Sequence, residues 1–453
     1  MKYFSNLILG LFCAGLLAQT PEAQQPLSLS LEEAIEMGLE NNYTSLRSEK
    51  DVEIALKRKW EIISQGLPQI SGNVDYQNFL KQPVTIIPGE LGGGEPGTFV
   101  PVRFGTKQNL AGTATWNQLI FDGSYIVGVQ SARTLLQISR NAKMKTDLEV
   151  RKAVINAYGN VLMAEESVEI LKKNLQTVDK NLNDTEKIYE NGMAEEEDVE
   201  QLKITRLGLE NNLSRSKRMR DISYQMLNMV LGIPVEQPIQ LTEDLDALAM
   251  QFFDLELLQQ TIPVEENIDV RIAENSAEAA AIFVRLEKAK ALPILTGFLN
   301  YGASAYSDDF TFFNDDQKYY GQSILGVNLN IPIFSSGMRS SRTRQMELEH
   351  EQALLDLDET RNQIKLEIES AKTNYRFSLE NYQTRQESLR LAERIENKNQ
   401  IKFFEGLASS FELSEAQRQL YIAQQDLLEA MLEVINAKVE LENLLDTTSY
   451  SGK

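Results

Sequence analysis

Cysteine is almost absent from this 453-residue chain: the only one, Cys13, sits inside an apolar stretch near the start. Disulfides and cysteine-ligated metals are excluded with it. Histidine is as scarce. His350 stands alone in a charged helical stretch, where a lone histidine reads as a surface residue rather than a ligand or base. No P-loop, nucleophile elbow or Cys/His cluster appears, so no enzyme chemistry, cofactor or metal is indicated. Positive charge is also short: 45 basic against 66 acidic side chains leave a formal charge of −21, which argues against a nucleic-acid partner. Composition by itself favours a solvated acidic surface over a cation-favouring duct. Finally, no stretch offers eighteen consecutive apolar residues, so no membrane-spanning helix is expected. Membrane β-strands leave a far fainter trace and stay open.

What is present begins with export. Lys2, the uncharged apolar core Leu7 to Leu17 and the small Ala18 read as a signal peptide over residues 1–18, its core too short to span a bilayer. The rest of the chain is written twice. Leu67-Pro68, Gly72 and Tyr76 return as Leu292-Pro293, Gly297 and Tyr301 at a constant offset. Gln118-Leu119-Ile120-Phe121-Asp122-Gly123 returns as Pro332-Ile333-Phe334-Ser335-Ser336-Gly337, and the pair Gly192 and Ala194 matches Gly406 and Ala408. From Gly123 onward the offset holds as far as Leu231 and Leu445. Loops drift in length, whereas helices whose ends must align in space cannot. The expected organisation is a first repeat over 28–231, a connector over 232–263, a second repeat over 264–447 and a tail over 448–453. Each repeat should run helix, strand, loop, strand, long helix, turn, helix.

In the first repeat the opening helix is expected over 31–65, capped by Ser30 with Glu33 in a capping box and stopped by Pro68. Strands follow over 67–79 and 112–121, then a long helix over 124–189 and a return helix over 195–231. Val154, Val161, Val168, Leu175 and Leu182 fall seven apart, with Ala157, Ala164, Leu171 and Val178 on the second seam position. The other repeat continues the frame through Ile368, Tyr375, Tyr382 and Leu389, broken once by Arg385. Such a helix is roughly 100 Å long at 1.5 Å per residue, more than a compact domain needs.

Val327 to Ile333 alternates apolar and polar residues at the period of a strand. Only the first of the four strands carries a charge, Asp75, and aromatics crowd residues 292–334, as in the girdles of a membrane barrel. A soluble sheet over a helical bundle is the competing arrangement. Four strands cannot close a barrel and lipid does not tolerate open edges, so strands in a membrane require several copies of the chain. The pattern does not say how many.

The Leu-Pro-x-x-x-Gly strand openings, the run Leu119-Ile120-Phe121-Asp122-Gly123 and the helix start Leu31-Glu32-Glu33-Ala34-Ile35 resemble the TolC-like outer membrane efflux family, over about residues 28–447. The resemblance implies a mainly α protomer with membrane β-structure. Its four strands would contribute to a trimeric 12-stranded β-barrel, continued by a long coiled-coil α-barrel in the periplasm. It implies an outer-membrane exit duct of a tripartite efflux pump or type I secretion system. The implied partners are two sister chains, outer-membrane lipid, a periplasmic adaptor protein and an inner-membrane transporter of the RND or ABC class. By the same resemblance Gly192, Met193, Ala194, Gly406, Leu407 and Ala408 are adaptor-docking tips, and Glu412, Glu415 and Asp198 line a periplasmic gate. The usual arginine partner of that aspartate is replaced here by Ala408. The rival from another class is a soluble, secreted coiled-coil scaffold without a pore.

Overall fold

The computed structural model describes residues 27–260 and 263–445. The expected signal peptide (1–18) and tail (448–453) lie outside the described residues. In chain order, β1 (Leu27–Leu29) leads into α1 (Leu31–Asn41) and α2 (Tyr43–Ser64). Then come β2 (Gln69–Asn78), a small hairpin of β3 (Thr85–Pro88) and β4 (Phe99–Val102), and β5 (Gln108–Asp122). The long α3 (Gly123–Glu190) and the return α4 (Glu196–Leu231) finish the first half. β6 (Ile239–Leu241) and α5 (Leu245–Gln251) precede α6 (Ile268–Ala289), β7 (Ile294–Ser307) and β8 (Tyr319–Asn330), and α7 (Met338–Phe404) and α8 (Ser410–Leu445) close the chain. The long helices have 68 and 67 residues and the return helices 36 each.

Ser30 caps α1 as its sequence indicates, with Glu33 answering in a complete capping box. The single helix expected over 31–65 is instead two. Asn42 leaves the helical conformation (φ −59°, ψ 131°) because its side chain is used elsewhere. Its amide donates to the Val230 carbonyl at 2.7 Å, and its oxygen accepts from the Thr44 N–H at 2.7 Å. The latter bond restarts the helix as an N-cap does. The loop expected over 80–111 likewise contains the β3–β4 hairpin.

The described residues fall into two compact units. One, residues 47–146 and 263–366, holds an antiparallel sheet in the order β2-β5-β7-β8. Register divides its two faces by chemistry. Ile70, Trp116, Leu299 and Leu325 form one cross-strand row, and Tyr76, Leu110, Ala305 and Tyr319 another on the same face. The alternate rows pair Ser71, Thr115 and Asn300, and Asn73 with Thr113. Successive strand residues point to opposite faces, so one face is apolar and the other mostly polar. Away from the β7–β8 loop the apolar face is bare: Ile70 and Leu325 are each 77% exposed. β2 and β8 end the sheet with no strand beyond them among the described residues, and they run in opposite directions. The aromatics of the β7–β8 loop are only partly a free girdle. Phe312 is buried, edge-on to Tyr76 and Phe310, and its carbonyl accepts from the Tyr319 hydroxyl.

The other unit, residues 27–46, 147–260 and 367–445, is helical apart from the parallel pair β1–β6. The heptad seam forms its core: Val154, Val161, Val168, Leu171 and Val178 are buried on α3, and Ile368, Tyr375 and Tyr382 on α7. The seam break at Arg385 has a partner, Asp426 of α8, at 2.6 Å. Two core tyrosines fix the short connecting segments. Tyr158 donates to the Leu29 carbonyl at 3.1 Å and Tyr375 to the Phe252 carbonyl at 2.7 Å. Burial pushes the Tyr158 phenol up to about 12.

α4 ends in a Schellman turn, the Ile233 N–H reaching back to the Asn228 carbonyl and Gly232 to Met229. Gly232 has φ +74°, and a Cβ there would lie 2.1 Å from the Asn41 carbonyl oxygen. Gly232→Ala combines left-handed strain with a backbone clash. It should cost about 2–4 kcal/mol and lower the midpoint of thermal unfolding followed by helical circular dichroism. An unchanged midpoint would contradict the packing of the α1 end against the α4 end.

Candidate functional site

The family-implied residues gather at the two turns between long and return helices, both within the helical unit. The turns are built alike. At the first, the Met193 N–H donates to the Ile188 carbonyl at 3.0 Å and Gly192 to Tyr189 at 2.8 Å. At the second, Leu407 donates to Lys402 at 2.7 Å and Gly406 to Phe403 at 3.0 Å. Each is a Schellman closure needing a left-handed residue, which Gly192 (φ +74°) and Gly406 (φ +73°) supply. The closure leaves Met193 74% and Leu407 72% exposed, while Ala194 and Ala408 are half-buried. Two apolar side chains held out at the ends of helical hairpins are available to a partner. Behind them Leu182, Val199, Leu202 and Leu413 form a buried cluster with Phe403 packed on it, so the turns stand on a firm base.

The three acids do not stand free. Asp198 is the third residue of α4 and closes a capping box with Glu195. Its other oxygen accepts from the Ser410 N–H at 3.3 Å, which ties the first turn to the start of α8. Ala408, where the family has an arginine, therefore leaves this aspartate with a backbone partner instead. Glu412 is the third residue of α8 and accepts from the Ser409 N–H at 2.9 Å, while the Ser409 hydroxyl accepts from the Glu412 N–H. Asp198 and Glu412 occupy equivalent positions of the two repeats and do equivalent work at a helix N-terminus, where a carboxylate is favoured by the helix dipole. Glu415 forms a two-point ion pair with Arg418, at 2.9 and 2.5 Å. The Arg418 bond, with a further one from Gln419, holds its carboxyl below the usual range. The structure thus puts all nine implied residues at one end of the unit. It adds Ser409, Ser410 and Arg418, which the family pattern did not single out. Ser409-x-x-Glu412 is a capping-box signature readable from the sequence; the reach of Asp198 to Ser410 is tertiary and is not.

Among the described residues no group of three or more His, Cys, Asp or Glu side chains is placed to hold a metal ion. No helix of the described residues is long and apolar enough to cross a membrane. The described residues form a duplicated unit whose sheet is open at both edges and whose long helical hairpins end in matched turns.

The comparisons agree. The outer membrane efflux protein family matches residues 263–447, the second repeat. TolC of Vibrio cholerae is 23% identical over 75% of this chain and 77% of its own length. AprF of Pseudomonas aeruginosa, an alkaline protease secretion protein, is 23% identical over 73% of this chain and 68% of its own. Among solved structures, VceC of Vibrio cholerae superposes with a TM-score of 0.69 over 92% of this chain and 95% of its own, at 18% identity. The channel CusC gives 0.72 over 92% and 91%, at 16% identity. The second repeat thus matches the outer membrane efflux protein family, and the fold of the chain is that of the outer-membrane channels VceC and CusC.

Asp198→Ala removes the acceptor that joins the two turns. Loss of such a cap costs about 0.5–2 kcal/mol, and amide hydrogen exchange at Ser410 should speed up by about an order of magnitude. Unchanged exchange there would show that Asp198 does not hold the second turn.

Proposed function

We propose that this chain is one third of a passive outer-membrane exit duct. Three copies join β2 of one to β8 of the next, making a 12-stranded barrel whose apolar face meets lipid and whose polar face lines a water-filled lumen. The observation that carries this is the four-stranded sheet with one bare apolar face, one polar face and two unpaired edges. Each copy contributes an even number of strands, so edge-to-edge joining continues the antiparallel alternation at every seam. A second bare stripe supports neighbouring copies. Ile204, Leu207, Ile222, Met226 and Met229 are exposed along one side of α4, where another helix would cover them.

In this reading the chain is the outer component of a tripartite efflux pump or type I secretion system. The exposed Met193 and Leu407 dock a periplasmic adaptor, and an inner-membrane transporter loads the duct. No catalytic chemistry is assigned to the chain. Asp198 and Glu412 hold the turns, and Glu412 and Glu415 of three copies form an acidic constriction that favours cations. Each Glu415 is partly balanced by its own Arg418, which leaves Glu412 as the larger source of field.

Planar-bilayer recording tests both levels. The purified protein should give discrete conductance steps, blocked from the helical end by divalent cations. Glu412→Gln with Glu415→Gln removes both carboxylates and frees Arg418, so block should weaken by about ten-fold or more. Conductance with unaltered block would sink the gate assignment alone. A detergent-free monomer without conductance would sink the duct and favour a soluble scaffold.

A further inference from the structure

Behind the two turns lies a cleft of about 450 Å³, open to solvent on one side and lined by α3, α4, α7 and α8. Its size is in the range that holds a drug-sized molecule. Val178, Leu209, Leu420, Phe411 and Tyr421 make its apolar walls. Three features distinguish it from a packing defect. First, Gly208 lines it from the middle of α4, with nothing within 4 Å of where its Cβ would be. Glycine in a helix interior is less stable than alanine, so this position gives up stability and leaves room. Second, both polar atoms of the Gln417 side chain are buried without a hydrogen-bond partner. A buried amide left unpaired is costly and points to a missing partner. Third, the charged groups of the lining are Glu396, Glu415 and Arg418, and the last two satisfy each other. Glu396 is left half-buried, with no ion pair among the described residues. Burial raises its carboxyl above the ordinary glutamate range, and the Gln417 amide lies near enough to offset this in part.

We propose that this cleft binds a small amphipathic organic cation. An aromatic body packs beside Gly208 between Leu209, Phe411 and Tyr421, and an ammonium N–H donates to Glu396 while the Gln417 amide takes up the ligand's remaining polar group. The walls come from both helical hairpins, so an occupant ties them together. This site is separate from the turn residues and from the acids at the helix starts, apart from Glu415, which is occupied by Arg418.

Quinacrine, a fluorescent aromatic diamine, is a suitable probe, titrated against the purified full-length protein in detergent by fluorescence anisotropy. Wild type should bind saturably. Gly208→Leu fills the space and should weaken binding by at least about ten-fold. Glu396→Gln keeps the shape and removes the charge. It should weaken quinacrine about ten-fold but leave a neutral probe of similar ring size, 9-anthracenemethanol, unchanged. Lys50→Ala, at an exposed ion pair remote in sequence, should change neither. If Gly208→Leu does not fold, the split between the charged and neutral probes on Glu396→Gln decides. Equal quinacrine affinity in wild type and both variants would place the dye in the micelle or lumen and overturn the proposal, as would the absence of saturable binding to wild type.

Discussion

A backbone N–H or C=O group in hydrocarbon has no water to turn to, and each one left unpaired costs several kcal/mol. In the proposed duct that constraint governs the four-stranded sheet. The sheet β2-β5-β7-β8 satisfies its interior and leaves both margins open, while its bare apolar face makes water an equally poor surrounding. Neither solvent suits one copy. In the proposed duct sister copies resolve both problems together, because joined edges would pair the backbone and a closed surface would turn the apolar rows toward lipid and the polar rows inward. The strand register is what makes this work: a slip of one residue would exchange the two faces along an entire strand.

The helical unit obeys a related constraint. α3 and α7 differ by one residue and α4 and α8 not at all, so the two turns arise from matched hairpins. Each turn closes through a left-handed glycine, and each return helix starts with a carboxylate at its third position. Asp198 goes further and caps across to Ser410, making the two turns one assembly rather than two independent ends. In the proposed function, docking or gating at this end would act on a coupled pair. The Arg385–Asp426 pair and the Tyr158 and Tyr375 hydroxyls do comparable work deeper in the unit, tying secondary elements together.

Much of this was legible because it rests on periodicity. The duplicated offset, the seven-residue seam through Val154 to Leu182 and the alternation of Val327 to Ile333 each report one repeating physical requirement. What was hidden depends on contacts distant in sequence. Asn42 breaks the first helix because the Val230 carbonyl, 188 residues away, claims its amide; nothing local marks it as a breaker. The β3–β4 hairpin lies in a segment whose glycines and prolines read as loop. Arg385 interrupts the seam in the sequence, and the partner that accommodates it, Asp426, lies on another helix. At the turns, the glycines and exposed Met193 and Leu407 were readable, and so was the Ser409–Glu412 box. The partner of Asp198 was not, since a backbone N–H carries no sequence signature.

The claim on which the account depends is that β2 of one copy lies against β8 of another. Its near lack of cysteine makes the chain suited to a direct test. In a Cys13→Ser background, a cysteine at Val74 on β2 is combined in turn with one at each position from 321 to 327 on β8, and the membrane-embedded protein is oxidised. The account predicts that one or two adjacent pairings form a disulfide between chains and yield closed oligomers on denaturing gels. Cross-links confined within a single chain, or none at any position, would contradict it.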